Sequence, residues 1–476
     1  MRPSYTLGWS CRSFFRSLYF QPQLGDHAVR QKSQFLRAPG VSAIDVAILG
    51  GGLAGTAASI HLARAGFRVL CIEPTPVNGV LVGESLDWSA PPLLAELGFP
   101  MHRLIDEGIA TYKKHVIVTF GDGGACEYIP GCWLAQKPWN VELRTLHIDR
   151  AALRDRLRAV VSSLDIAILE DRVVAIERHS GRIISVTTAS GQTIGARFYL
   201  DASGVSASLM PRRIRASTRN YGPQKVALWN YFTVSNPPEG TTIHTGNGGR
   251  RYMEWIWEIP INPNTIGVGY VAPADAIKAR RQQGEPIDRI YAEALARIPR
   301  LATILPNVHR PVPHAATWRC RVHERITGEN WIAIGESASM IDPMTSNGVT
   351  AALRHAQEAA RIVISAGRRT RLSRLARMLY TRRAVAMARF FNCGIERIVY
   401  DWPIRERIGT FFAGRVYTVP AWLFNLLYTR TQPRGLVATM LFCAALATFR
   451  SIADVADWLC RRFPRPAVTC STGNAS

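Results

Sequence analysis

Gly50, Gly52 and Gly55 stand at G-x-G-x-x-G spacing within "IDVAILGGGLAGTAASIHLARAGFRVLCIEP". Between a strand and a helix, this spacing suits the pyrophosphate of a dinucleotide. Gly50 permits the tight turn, Gly52 lets the backbone approach the phosphates, and Gly55 lets the helix lie close to the strand. The helix N-terminus then turns free N–H groups and the positive end of its dipole toward the phosphates. Glu73, eighteen residues past Gly55, is placed to accept hydrogen bonds from the adenosine ribose hydroxyls. A second pattern is "WIWEIP", Trp255 to Pro260. Indoles two residues apart on a strand share a face and form a rigid apolar wall. Pro260 is expected to stop the strand pairing there. The plain alternative for both tryptophans is a core wall, since indoles dominate packing.

The elements that must hold these residues are legible. Ile44 and Val46 to Leu49 form a buried apolar run. Thr56 to Ala65 has helical composition ended by Gly66, and Phe67 to Ile72 reads as a second strand. This is one βαβ unit. "LHIDRAALRDRLRAVV" has helical periodicity after His147. Residues 167–204 alternate in short strands with turns at Gly181 and Gly191, and residues 225–271 again read as strands. "WIAIGESASMIDPMTSNGVTAALRHAQEAARIV" reads as strand, loop and helix.

The chain has 476 residues, enough for two or three packed units. Its net charge of +23 suits nucleic acid, anionic lipid or acidic partners. No nucleic-acid recognition motif accompanies it, so nucleic acid is not expected as a partner. Nine cysteines without a C-x-x-C pair fit a reduced, intracellular setting better than a disulfide framework. Residues 1–40 carry six basic residues and one acid without the apolar core of a secretory signal. They read as a disordered basic extension. Residues 361–415 hold thirteen arginines and three acids, and "LVATMLFCAALATF" that follows has 14 residues, short of the roughly 20 that span a bilayer. A basic, aromatic-rich tail suits either an anionic membrane surface or a helical cap with a solvated arginine face. A cytoplasmic location, with membrane association as the alternative, follows.

"FYLDASG" (198–204) and "IAIGESASMIDPMTSNG" (332–348) resemble the second dinucleotide motif and the flavin-side loop of the FAD-dependent monooxygenases, geranylgeranyl-type reductases and halogenases. "HIDRAALRDRL" resembles their arginine-helix segment, which implies Arg150 on the flavin side. The resemblance covers roughly residues 44–365. It implies an α/β fold: a GR2-type FAD-binding Rossmann-like domain (41–365), an inserted β-sheet substrate domain (about 105–145 and 225–320) and a helical C-terminal region (366–476). The cofactor implied is FAD. The usual Gly-Asp is here Gly335-Glu336, so the longer Glu336 is expected to bind the ribityl chain from a shifted loop.

Within this superfamily W-x-W-x-I-P resembles the motif of the flavin-dependent halogenases, matched in full by Trp255, Trp257, Ile259 and Pro260. The resemblance places both indoles near the flavin, where a dry wall limits wasteful hydrolysis. It implies a halide site at Ser346, Asn347 and Gly348, a helix N-terminal turn, with Gly348 also beside the flavin. Asn347 departs mildly from the usual Ser-Thr-Gly or Ser-Ser-Gly. It implies a lysine that holds hypohalous acid: Lys113, with Lys114 as its neighbour. Adjacent strand residues face opposite ways, so only one can point inward. Ser85, in "VGES", is expected to contact substrate or flavin, or else to cap a helix. Tryptophan halogenases place a glutamate just before the Ser-Thr-Gly turn; Thr345 stands there, which favours a phenol, pyrrole or aryl acid, free or held on a carrier protein. A separate flavin reductase is implied. No metal motif is present, and His147, His323 and His355 read as isolated structural or surface residues. A monooxygenase or geranylgeranyl-type reductase is the alternative activity, supported by the basic, apolar tail.

Overall fold

The computed structural model describes residues 44–74, 82–120, 124–128, 144–247 and 252–401, with Val416, Tyr417 and Trp458 beyond them. The expectation for residues 1–40 therefore lies outside the described residues, as does most of the C-terminal region after residue 401.

In chain order, β1 (Val46–Leu49), α1 (Leu53–Arg64) and β2 (Val69–Glu73) form the first βαβ unit. Helices α2 (Ala90–Glu96) and α3 (Met101–Asp106) lead to β3 (Ala110–Lys113), β4 (Val116–Thr119), β5 (Ala125–Tyr128) and β6 (Thr145–Ile148). Then come α4 (Arg150–Ser163), β7 (Ala167–Glu170), a hairpin pair β8 (Val173–His179) and β9 (Arg182–Thr188), β10 (Thr193–Gly195) and β11 (Phe198–Asp201). Two short helices, α5 (Gly204–Ala207) and α6 (Leu209–Arg213), precede the long strands β12 (Thr218–Thr233), β13 (Thr241–Gly246), β14 (Glu254–Asn262) and β15 (Thr265–Pro273). Helices α7 (Ala274–Gln282), α8 (Ile287–Ala296) and α9 (Pro299–Ile304) are followed by β16 (His314–His323), β17 (Trp331–Ala333) and β18 (Ser339–Met340). Helices α10 (Gly348–Ala366) and α11 (Arg374–Gly394) and a two-residue strand β19 (Val416–Tyr417) complete the described chain.

Two sheets organise the molecule. The first is parallel, ordered β17-β11-β1-β2-β7, and every residue of β1, β11 and β17 is buried. That is the condition of a parallel sheet covered on both faces. Helix α1 packs against α10 and α4, and its Ala- and Gly-rich face allows the close approach. The second sheet has nine strands, β18-β16-β12-β15-β14-β13-β4-β5-β19. A separate two-stranded ribbon pairs β3 with β6, Lys113 opposite Thr145 and Thr111 opposite His147. It lies against β14.

Two details differ from the sequence reading. Pro260 does not stop β14: the strand runs to Asn262, with a register shift between Pro260 and Asn262. The pairing of β14 with β13 extends only to Glu258, so beyond that point the missing proline N–H breaks no ladder bond on that side. Within the region expected to be helical, β19 is a strand, paired in parallel with β5. Among the described residues no helix is long and apolar enough to cross a membrane.

Candidate functional site

The glycine turn opens onto a cleft of about 780 Å³ bordered by Gly50, Gly52, Glu73, Arg150, Arg158 and Ser203 among others. Gly50 has φ +116°, and a Cβ there would overlap the Ala202 carbonyl. A Cβ on Gly55 would overlap the Gly50 carbonyl, whereas one on Gly52 would meet nothing within 4 Å. The backbone at Gly52 thus faces open cleft, as a pyrophosphate requires. Asp201 braces the turn from below, accepting from the Ser203 N–H at 3.1 Å and the Met210 N–H at 2.7 Å. Glu73 closes β2 at the cleft edge, where Arg158 pairs with it at 2.8 Å. These residues fit a dinucleotide such as FAD.

Arg150 begins α4, capped by Asp149, whose carboxylate accepts from the N–H groups of Ala151 and Ala152. Burial pushes the Arg150 guanidinium pKa down, opposed by the carboxylates of Glu84 and Glu336. Glu336 is open to water yet recessed; desolvation raises its pKa, and Arg150 and Arg321 pull it back. Arg150 therefore joins the dinucleotide cleft to the loop carrying Ser85.

The ribbon of β3 and β6 forms a second centre. Lys113 is 8% exposed, and its Nζ donates to the Leu86 carbonyl at 3.0 Å. Burial lowers its pKa to about 8, while Asp87 pulls it up. Lys114 points outward and pairs with Glu239 at 2.6 Å, both exposed. Opposite residues on an antiparallel ribbon share a face, so Lys113, Thr111, Thr145 and His147 lie together. His147 is fully buried. Its Nε2 lies 2.9 Å from the Thr241 hydroxyl, which is 2.9 Å from the Ser85 hydroxyl. Ser346 Oγ donates to Ser85 Oγ at 3.3 Å. One buried polar chain thus connects the lysine ribbon to the turn before α10. Burial, and then the Lys113 charge, keep His147 well below the usual imidazole pKa.

In that turn Ser346 adopts the left-handed conformation, φ +56°. Its N–H donates to the Pro343 carbonyl at 3.0 Å, so it is not open to a halide. The Ser346 hydroxyl is likewise engaged, donating to Ser85, so what remains for an anion is the N–H groups at Asn347, Gly348 and the first turn of α10, which lack intrahelical acceptors.

Neither Trp255 nor Trp257 borders the dinucleotide cleft. Both are buried core residues, their ring centroids 5.7 Å apart. Trp257 lies over Gly269, where a Cβ would overlap its ring. Trp255 Nε1 donates to the Tyr400 hydroxyl at 2.9 Å, and that hydroxyl donates to Asp342 at 3.2 Å. The WIWEIP strand is therefore tied to Asp342, whose carboxylate also caps the Met344 N–H at 3.1 Å in the turn before α10.

Cys320, Asp342 and Glu396 place ligand-type atoms within 4.8 Å of one another. The fully buried Lys225 contacts both carboxylates, so an ammonium already supplies the positive charge a metal would bring. The three histidines are buried: His323 bonds the Thr218 hydroxyl at 2.8 Å, and His355 Nδ1 accepts from the Gly335 N–H at 3.2 Å.

Sequence reading missed Arg158, Asp87, Thr241 and Lys225. The i, i+4, i+8 spacing of Arg150, Arg154 and Arg158, all bordering the cleft, was an available signal. Lys225 and Thr241 had none, because their partners are distant in sequence, and Asp87 had none for its effect on Lys113, twenty-six residues away.

The tryptophan halogenase family profile matches residues 138–387, and that of FAD-dependent oxidoreductases matches residues 45–212. The chain is similar to a tryptophan 2-halogenase of Chondromyces crocatus, 26% identical over 78% of this chain and 73% of the relative. It is also similar to a 1H-pyrrole-2-carbonyl-[peptidyl-carrier protein] brominase of Pseudoalteromonas luteoviolacea, 24% identical over 66% of this chain and 76% of that protein. Among solved structures, the flavin-dependent brominase Bmp2 superposes with a TM-score of 0.66 at 20% identity, covering 88% of this chain and 100% of its own.

Proposed function

The chain belongs to the tryptophan halogenase family and is an FAD-dependent halogenase, and from that premise we propose that Lys113 is its halogen-transferring residue and a phenol, pyrrole or aryl acid its acceptor. Bound reduced FAD, recharged by a separate reductase, supplies with O₂ the oxidising equivalents that convert chloride or bromide to hypohalous acid.

The chain's own residues do the rest. Gly50, Gly52 and Glu73 hold the adenosine and pyrophosphate half, with Gly55 packing the helix close beneath them and Arg150, Glu336 and Gly348 toward the flavin. The N–H groups of Asn347 and Gly348 hold the halide, with Ser346 fixing the turn through its bonds to Pro343 and Ser85. Lys113, as an ammonium, donates a hydrogen bond to hypohalous acid, and Asp87 keeps it protonated near neutral pH. Trp255 and Trp257 hold the wall behind the ribbon, Ser85 sets the link to the halide turn, and the nine-stranded sheet supplies the substrate layer. In transfer the HO–halogen bond breaks and the halogen bonds to a ring carbon through the ring's π pair. The ring C–H proton leaves, and hydroxide and proton combine as water.

The observation that carries this reading is one lysine, nine-tenths buried, with a pKa near 8, on the ribbon packed against the WIWEIP strand. Thr345 in place of the glutamate favours acceptors other than free tryptophan. The relative that brominates a carrier-bound pyrrole supports an acceptor presented on a carrier protein. The test supplies a flavin reductase, NADH, FAD, bromide and a phenol or a carrier-bound pyrrole. Brominated product that requires bromide is expected, and hydroxylated product without halide dependence would sink the reading. Lys113→Ala should retain FAD and make no brominated product.

A further inference from the structure

Outside the flavin and lysine sites, a cleft of about 470 Å³ runs along α11. Its walls carry Arg325, Arg374, Arg377, Arg382 and Arg389 and a single acid, Glu324. Glu324 is already paired with Arg219 at 2.6 Å. Among the described residues no carboxylate pairs with Arg325, Arg374 or Arg382. Glu329, the nearest acid to Arg377, is engaged by Arg371 at 3.3 Å. Burial lowers the Arg377 guanidinium pKa; Glu329 opposes this, and Arg325 and Arg374 deepen it. The Arg377 Nε is buried without a partner among the described residues. Like charges crowded this way cost stability, and an anion in the cleft would remove that cost.

Between the arginines the lining is mixed, Thr327 and Thr381 beside Met378, Val385 and Ala386. On α11, residues 374, 377, 378, 381, 382, 385, 386 and 389 all border the cleft, the i, i+3, i+4, i+7 rhythm of one helical face. Its apolar surface comes mainly from Met378, which is 38% exposed, and Leu375 beside it is 61% exposed. Arginine around an exposed methionine and leucine is the composition of a protein interface. A small anion would leave the exposed Met378 and Leu375 uncovered.

We infer that the α11 cleft docks an acidic amphipathic helix of a partner protein, and that the partner is the carrier that presents the acceptor. The second half rests on the reading of a carrier-bound substrate above. Electrostatic complementarity of this kind steers encounter and is weakened by salt.

The test uses the full-length, FAD-loaded protein and a phosphopantetheinylated peptidyl-carrier protein of net negative charge, loaded with pyrrole-2-carboxylate. Binding is followed by calorimetry at low and high salt, with inorganic phosphate and phosphatidylserine vesicles as separate probes. Arg374→Glu with Arg382→Glu changes exposed residues only. The double variant should weaken carrier binding by about tenfold or more while FAD binding and bromination of a free phenol stay unchanged. Carrier binding should also weaken as salt rises. The inference is overturned if the parent protein does not bind the carrier, if the variant binds it as the parent does, or if only phosphate or only vesicles bind and the variant loses that binding. Bromination of the free phenol separates the failures: a parent that brominates phenol but ignores the carrier loses only the docking surface, while one that brominates nothing loses the halogenase reading.

Discussion

At the residue scale the proposed chemistry centres on Lys113. Its pKa of about 8 lies below the 10.5 of a free lysine, with burial as the first cause. Because the folded value is depressed, the protonated lysine costs stability below pH 8. The cost fades as pH rises from 8 to 10.5. Lys113→Met removes it, so this variant should be more stable than the parent at pH 7 by up to about 3 kcal/mol. The gain should shrink toward pH 10.5, and urea melts at the two pH values measure it. Halogenated product should be absent, the usual trade between stability and a strained site. Asp87 is the group that pulls Lys113 up. Asp87→Asn should therefore move the lysine break in the pH profile of halogenation below 8; an unmoved profile would dissociate Asp87 from the lysine.

At the element scale the first βαβ unit separates folding from binding. A Cβ at Gly52 meets nothing, and one at Gly55 overlaps the Gly50 carbonyl. Gly52→Ala should change stability by no more than about 0.5 kcal/mol yet weaken FAD binding by about tenfold or more, because its methyl group enters pyrophosphate space. Gly55→Ala should lower stability by about 1–3 kcal/mol through overpacking. Flavin fluorescence titration and thermal melts on the pair would show the two losses apart; equal behaviour would contradict this division.

At the scale of the whole molecule, Lys225 joins distant parts. A register shift in β12 between Tyr221 and Lys225 redirects the strand just before it, as bulges do. Its ammonium meets Asp342, just before the turn into α10, and Glu396 of the π-helical segment Ile395–Val399. It also lies 4.5 Å from the centre of the Tyr400 ring, whose hydroxyl holds Trp255. The carboxylates raise its pKa well above the ordinary value, outweighing desolvation. Lys225→Met should cost about 3–5 kcal/mol, since it leaves two buried acids facing each other. Adding Glu396→Leu should recover part of the loss in the same melts. A neutral single variant would mean that the cluster holds nothing together.

The sequence by itself determined what local patterns can carry: the glycine turn with Glu73, the strand rhythm of WIWEIP, the arginine helix and the turn before α10. Each is a rule about neighbours along the chain, where backbone geometry and period dictate the outcome. Alternation also required that Lys113 and Lys114 face opposite ways, but only the packing of the β3–β6 ribbon on β14 decided that Lys113 is the buried one. Tertiary structure alone decided the polar chain from His147 through Thr241 and Ser85 to Ser346, whose members lie 94, 156 and 261 residues apart. It likewise decided the Lys225 cluster, the use of the Ser346 N–H within its own turn, and the continuation of β14 past Pro260. Burial, desolvation and partner choice depend on what arrives from elsewhere in the chain, and no local spacing records that.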